Sequence, residues 1–113
     1  LCPMLPGSPG HALWQRDFTG GCGLLSFVLK GADEAARTRF VEALRLFGIG
    51  YSWGGFESLV VPFDPAPIRS ETAWPPARYD PADRLGVRLS IGLEDSADLI
   101  ADLEQAFVAM EQE

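Results

Sequence analysis

The chain has 113 residues, of which 47% are apolar, and its 9 basic and 16 acidic side chains give a net charge of −7. This length fits one domain, and the apolar fraction suffices for a packed core, which excludes a disordered chain. The acidic balance disfavours nucleic acid as a partner, because such a chain repels a phosphate backbone. No apolar run approaches the roughly 18 residues of a membrane span, and no secretory signal is recognisable, so we expect a cytoplasmic protein with no membrane partner.

Three segments make up the first part of the chain. Residues 1–21 are rich in proline and glycine and lack periodicity, which predicts an extended connector. Residues 23–30 are mostly apolar and precede a glycine, which is typical of a strand. Apolar residues recur at helical spacing over 33–47, and we predict a helix with Asp33 as its N-cap and Gly48 just after its last turn.

The middle of the chain reads as short strands and a long loop. Residues 49–52 and 58–61 predict two strands on either side of a glycine-rich bend at 53–56, and the second strand should stop at Pro62. Residues 62–85 contain six prolines and predict a long loop. Structureless loops of this length are usually functional or mobile.

The last part of the chain completes the predicted fold. Residues 87–94 alternate between apolar and polar, which predicts a strand with one buried face. An apolar stripe over 96–111 predicts a closing helix whose start is marked by Asp95. The element order favours an α+β fold: a two-layer sandwich with a small, mostly antiparallel sheet and the helices on one face. The other face carries Arg88, and in a larger protein a partner domain would cover it.

Two features of the sequence point to binding of a small molecule. Adjacent glycines at 54 and 55, beside Ser52 and Trp53, allow the backbone to approach a ligand closely. The alternative is an ordinary β-turn with a packed tryptophan. Arg88 on the polar face of a strand is suited to bidentate binding of a carboxylate. Here the alternative is pairing with a carboxylate of the protein.

Catalytic groups are not evident from the residues alone. His11 is the only histidine and no cysteine pair has ligand spacing, so we expect no metal site. Lys30 is the only lysine, and its position at a strand end indicates a solvated side chain rather than a Schiff-base nucleophile. Glu94 and Asp95 are best interpreted as helix-cap or surface residues. The sequence therefore predicts a carboxylate-binding face without catalytic machinery.

Several motifs occur in the order found in a known enzyme family. The segments are Asp-Phe-Thr-Gly at 17–20 with 23–27, Tyr-Ser-Trp-Gly-Gly-Phe-Glu-Ser-Leu at 51–59, Arg-Leu-Ser-Ile-Gly-Leu-Glu-Asp at 88–95, and 98–103. Together they resemble the C-terminal domain of the Cys/Met-metabolism pyridoxal-phosphate (PLP) enzymes, which have the aspartate-aminotransferase-like fold. The second segment resembles the family motif Ser-x-Gly-Gly-x-Glu-Ser-Leu. The resemblance spans almost the whole chain.

The resemblance implies roles for three residues, all in substrate binding. Arg88 would clamp the α-carboxylate of an amino-acid substrate, Ser52 would assist it, and Trp53 would line the pocket. Many relatives have leucine at the position of Trp53. The tryptophan, with segments 5–11 and 14–18, resembles the branch that converts cystathionine to homocysteine, pyruvate and ammonia by α,β-elimination in methionine synthesis. A γ-lyase or γ-synthase type of relative remains open.

The resemblance also implies that part of the enzyme is not in these residues. The family's Schiff-base lysine, pyridinium aspartate and phosphate cradle lie in a larger upstream domain. We therefore expect 1–21 to be the connector from a PLP-binding domain and 22–113 to be the substrate-recognition domain, inactive alone and without catalytic, cofactor-binding or metal-binding residues. The full-length enzyme would bind PLP and a cystathionine-like substrate and form a homotetramer. Two alternatives are a stand-alone amino-acid-binding module and a purely structural or oligomerisation domain.

Overall fold

The computed structural model describes residues 2–68 and 84–112, and its centre is a four-stranded sheet. The strands are β1 (Leu24–Val28), β2 (Gly48–Ile49), β3 (Leu59–Phe63) and β4 (Gly86–Ser90), in the spatial order β1-β4-β3-β2. β4 is antiparallel to both β1 and β3, whereas β2 is parallel to β3. The helices are α1 (His11–Asp17), α2 (Glu34–Ala43) and α3 (Ser96–Met110). The predicted α+β class and mostly antiparallel sheet are confirmed.

The core lies between one face of the sheet and the two longer helices. Val60, Val87 and Leu89 project from the central strands into a single apolar cluster with Phe40 of α2 and Leu99 of α3. Fully burying an apolar side chain of this size contributes about 1.5–3 kcal/mol, so this interface accounts for much of the fold's stability. The alternation along β4 leaves Arg88 on the opposite face. Helices α2 and α3 both pack on the other face, so neither of them covers the face that carries Arg88.

Helix α2 begins as the sequence predicts but ends earlier. Asp33 is its N-cap, and its Oδ1 accepts a hydrogen bond from the Ala36 N–H at 2.7 Å. The helix ends at Ala43 rather than at residue 47, because the buried carboxylate of Asp102 accepts the backbone N–H groups of Arg45 and Leu46 at 2.8–3.0 Å. Because these two N–H groups donate to Asp102, they do not donate to carbonyl groups of the preceding helical turn, and the helix stops. The predicted role of Gly48 as the residue after the helix is wrong, since Gly48 begins β2.

The predicted N-terminal connector contains a short helix, which is a correction. Helix α1 has no buried residue, so no apolar stripe marks it in the sequence. Local contacts hold it in place: the rings of His11 and Trp14 stack at 5.7 Å, and Trp14 Nε1 donates to the Gly20 carbonyl at 3.1 Å. Periodicity detects helices that bury one face, and α1 buries none.

Strand β3 continues through Pro62 to Phe63, so the predicted stop at Pro62 is wrong. The carbonyl of Val60 accepts from Gly50 on the β2 side. Residues two apart in a strand direct their backbone groups to the same side, so the Pro62 nitrogen faces the side where β2 has already ended. The missing N–H therefore costs no ladder hydrogen bond.

Strand β4 is shorter than predicted, and it ends at Ser90 instead of Glu94. Leu93, expected on the buried face, is 83% exposed, because the chain bends at Leu93 and Glu94 and the Leu93 N–H donates to the Phe56 carbonyl at 3.0 Å. Helix α3 matches its predicted range to within one residue, and Asp95 caps it by accepting from the Ala97 N–H at 2.8 Å.

The remaining predictions concern loops and spans. β1 and β2 are shorter than the strands predicted at 23–30 and 49–52. Most of the predicted loop at 62–85, namely 69–83, lies outside the described residues. None of the helices in the described ranges has the length and apolar character needed to cross a membrane.

Candidate functional site

Arg88 lies at the centre of β4 with an unused hydrogen-bond donor. Its strand neighbours in register are Ser26 on β1 and Val61 on β3. The Nη2 atom of Arg88 is buried, and no acceptor for it exists among the described residues. A buried donor without a partner is unfavourable, whereas an acceptor from a ligand would satisfy it. The guanidinium is thus poised to receive a carboxylate oxygen.

An aromatic ring covers the guanidinium on one side. The Arg88 Cζ lies 5.2 Å from the centre of the Tyr51 ring, which is within the range of a cation–π interaction. Such a contact holds the planar group without using its hydrogen-bond donors, which stay available for a ligand. Because Tyr51 directly precedes Ser52, this contact also brings the start of the glycine-rich bend next to Arg88.

Ser52 and Trp53 stand at the beginning of the glycine-rich bend. The Ser52 hydroxyl donates to the Gly54 carbonyl at 2.8 Å and lies 3.2 Å from the Gly54 N–H. Gly54 has φ of 135°, which an L side chain rarely adopts, so the bend requires glycine there. Trp53 is 86% exposed and not packed as the alternative interpretation of the bend supposed. Its indole is therefore free to contact a ligand.

A buried serine and an acidic side chain connect the bend to the end of β4, and the sequence analysis missed this link. Glu94 Oε1 accepts from the Ser58 N–H at 2.8 Å, and Glu94 Oε2 accepts from the Ser58 hydroxyl at 2.7 Å. The Ser58 hydroxyl in turn accepts from the Gly92 N–H at 2.8 Å. The partners are 34 to 36 positions apart, so no local pattern in the sequence pairs them.

The link fixes the charge of Glu94. Hydrogen bonds from the backbone and the hydroxyl of Ser58 hold the pKa of the Glu94 carboxyl below its ordinary value, because they favour the ionised form. The sequence predicts a cap or surface role for Glu94. In the structure Asp95 is the cap of α3, and Glu94 joins two loops.

The other residues considered in the sequence analysis do not contact Arg88 or the glycine-rich bend within the described ranges. Lys30 is exposed after the end of β1, and His11 Nδ1 lies 2.7 Å from the Pro3 carbonyl in the N-terminal segment. Cys2 and Cys22 are exposed free thiols. In the described part of the chain, none of these side chains forms a hydrogen bond or ring contact with Arg88, Ser52 or Trp53.

Comparison with known proteins places these features in a family. The model of the Cys/Met metabolism PLP-dependent enzymes matches residues 1–108. The chain therefore belongs to this family of PLP-dependent enzymes, as its motifs indicate.

Relatives of this chain include proteins named cystathionine β-lyase and cystathionine γ-lyase. The chain is 54% identical over 104 residues to a cystathionine β-lyase of Bordetella avium, covering 92% of this chain and 25% of that protein. It is 46% identical over 106 residues to the enzyme of the same name from Escherichia coli, with 93% and 26% covered. A cystathionine γ-lyase of Macaca fascicularis is 40% identical over 114 residues, with 96% and 26% covered.

A solved structure supports the same fold. The cystathionine γ-synthase of Xanthomonas oryzae pv. oryzae, solved in complex with cystathionine, matches 96% of this chain and 28% of its own, with a TM-score of 0.69 and 40% identity. The chain thus spans about a quarter of the length of the relatives that it matches.

Proposed function

We propose that this chain is the C-terminal, substrate-recognition part of a PLP-dependent carbon–sulfur lyase of the cystathionine β-lyase type. Such an enzyme converts cystathionine to homocysteine, pyruvate and ammonia by α,β-elimination. Identity to relatives named β-lyases reaches 54%, against 40% for those named γ-lyases, which supports this branch. The observation that carries the proposal is the buried, unpartnered Nη2 of Arg88 beside the bend at 51–56.

The chain's own residues would bind and orient the substrate. Arg88 presents parallel donors to the α-carboxylate, and a bidentate pair of this kind fixes direction as well as affinity. The Tyr51 ring contacts the guanidinium from one side and would limit its movement. Ser52 supplies a hydroxyl at the edge of the same site, and the exposed Trp53 offers an apolar wall for the side chain of the substrate. Neither a proton-transfer nor a covalent step is assigned to these residues.

The cofactor would be held mainly by residues outside this chain. PLP supplies the electron sink for elimination, and an enzyme must hold it through a lysine and a phosphate-binding site. The described residues do not fit that requirement, because the only lysine in the sequence, Lys30, is exposed after β1. We therefore propose that 1–21 connects to a PLP-binding domain, that 22–113 recognises substrate, and that 22–113 is inactive alone.

A γ-type enzyme is the second candidate function. A γ-synthase structure matches 96% of the chain and γ-lyases are about 40% identical, so the two branches share this region. The tryptophan at position 53 argues for the β-lyase branch. We further propose a cytoplasmic homotetramer, with cystathionine-like amino acids as substrates.

The test measures turnover by the full-length product of the reading frame that contains this chain. With PLP and cystathionine, a β-lyase releases pyruvate and homocysteine, whereas a γ-lyase releases 2-oxobutyrate and cysteine. Arg88→Ala should raise KM by at least about 10-fold, because it removes a charge-assisted bidentate contact with the carboxylate. Arg84→Ala removes an exposed arginine two positions before β4 and serves as the matched control. Unchanged KM in Arg88→Ala would contradict the assigned role.

A further inference from the structure

Two loops meet beside the strand that carries Arg88. One runs from the glycine-rich bend at 53–56 to Ser58, just before β3, and the other runs from Gly92 to Glu94 after β4. Ser58 is 1% exposed, and its backbone N–H and hydroxyl both donate to the Glu94 carboxylate. Its hydroxyl oxygen is also used, because it accepts from the Gly92 N–H at 2.8 Å. Both hydrogen bonds of the Ser58 hydroxyl thus connect the two loops.

The backbone reinforces the same contact. The Leu93 N–H donates to the Phe56 carbonyl at 3.0 Å. A Cβ atom at Gly92 would lie 2.5 Å from the Phe56 oxygen and from the Glu57 carbonyl carbon, which is closer than real Cβ contacts. The two loops therefore approach each other at a distance that only glycine at position 92 permits. The segments 56–58 and 92–94 are therefore joined both by hydrogen bonds and by close backbone packing.

The connection joins the two halves of the candidate site. Gly92 follows the last residue of β4 by two positions, and Arg88 lies in that strand. Phe56 lies three positions after Trp53 and four after Ser52. Hydrogen bonds to an ionised carboxylate are stronger than those to a neutral acceptor, and two such bonds from one residue also fix its orientation. Glu94 thus holds the bend at a fixed position relative to the strand of Arg88.

We infer that Glu94 is a positioning residue that, through Ser58, sets Ser52 and Trp53 in place relative to Arg88 for binding of an amino-acid carboxylate. The inference rests on the proposed function, since it assigns the purpose of the connection to the same substrate site. Glu94 itself acts through Ser58 and the bend and does not contact the ligand.

The experiment compares Glu94→Ala and Glu94→Gln in the full-length product of the reading frame. Loss of the anchor should raise KM for cystathionine by about 10- to 100-fold with little change in kcat, because misplaced binding groups weaken substrate binding. Glutamine keeps one acceptor for the Ser58 N–H and loses the acceptor for the hydroxyl, so Glu94→Gln should be intermediate. Glu104→Ala is the control for loss of a negative charge, since Glu104 is exposed on α3 and has no recorded side-chain hydrogen bond among the described residues.

Amide hydrogen exchange supplies a second measurement that does not depend on turnover. Peptides covering 50–58 and 91–95 should exchange at least about 10-fold faster in Glu94→Ala, and peptides from α2 should not change. An active wild-type protein with unchanged KM in Glu94→Ala would overturn the inference and leave the proposed function standing. An inactive wild-type protein would overturn the proposed function. In that case the exchange rates decide whether Glu94 holds the bend: unchanged rates refute it and faster rates uphold it.

Discussion

Two charged side chains, Arg88 and Asp102, differ in how far the protein itself satisfies their hydrogen-bonding groups. Asp102 is 5% exposed, and its oxygens accept from two backbone N–H groups and from Gln105. The Asp102 carboxylate therefore has its hydrogen-bond partners within the protein, as expected of a buried charge with a structural role. Arg88 leaves a buried donor without an acceptor among the described residues. This unsatisfied donor supports the ligand-binding role that we propose for Arg88.

Some of the candidate site can be read from residue types, and some cannot. An arginine on the polar face of an alternating strand and a pair of glycines in a bend are local patterns, so the sequence predicts Arg88 and the bend at 53–56 as candidates. The partner of Ser58 lies 36 positions away, and a glutamate just before a helix is more often a cap or surface residue. Only the register of β3 with β4 brings Glu94 to Ser58.

At the residue scale, the ionisation of Glu94 predicts a pH dependence. Its pKa is lowered in the folded protein by the Ser58 hydrogen bonds. A lowered folded pKa contributes stability that is present above the unfolded value of about 4.3 and is lost as the pH falls through the folded pKa. Glu94→Gln should therefore be less stable than wild type at pH 6–7, and the difference should shrink below about pH 4.

Urea unfolding of the full-length protein between pH 3 and pH 7 measures this effect. The matched comparison is Glu104→Gln, whose side chain is exposed and has no recorded hydrogen bond in the described ranges. A difference between wild type and Glu94→Gln that stays constant over the whole pH range would refute the assigned cause.

At the element scale, long-range contacts set the ends of the elements, and these ends were the least predictable features. The stripe of Ala36, Phe40, Leu44 and Phe47 is buried as periodicity predicts. The helix itself nevertheless ends at Ala43, because a carboxylate from α3 takes the next backbone donors. The same reasoning applies to β4, which ends at Ser90 because the following residues bond to the bend.

The Asp102 contact predicts a large effect on stability. Asp102→Ala would leave the N–H groups of Arg45 and Leu46 without their acceptor, at a cost of about 2–4 kcal/mol in the free energy of unfolding. Asp102→Asn keeps one acceptor oxygen and should lose less. Urea unfolding followed by far-ultraviolet circular dichroism would measure both. Equal stability of wild type and Asp102→Ala would show that this carboxylate does not anchor the end of α2.

At the scale of the whole molecule, large apolar side chains are exposed around the candidate site. Tyr51, Trp53, Phe56 and Leu93 are 71–86% exposed, and all four belong to the bend and the turn that Glu94 joins. Exposed apolar side chains grouped in this way mark a binding surface more often than a free surface. We propose that a substrate and the proposed PLP-binding domain lie against them.

The class of fold followed from the sequence because it depends on the pattern of apolar residues. An apolar stripe on each longer helix and the alternation predicted over 87–94 are sufficient for a sheet with helices on one face, although β4 itself ends at Ser90. The short helix α1 did not follow, because a helix that buries nothing leaves no stripe. The motifs at 51–59 and 88–95 carried the family, which the comparison then confirmed over residues 1–108.

The proposed division between cofactor binding and substrate recognition is tested most directly by locating the lysine that binds PLP. The chain of 113 residues and the full-length product of its reading frame would each be incubated with PLP, reduced with borohydride, digested and analysed by mass spectrometry. We predict a single modified lysine outside these residues, and pyruvate release from cystathionine by the longer protein only. Specific modification of Lys30, together with pyruvate release by the 113-residue chain alone, would contradict the division into a cofactor-binding part and a substrate-recognition part.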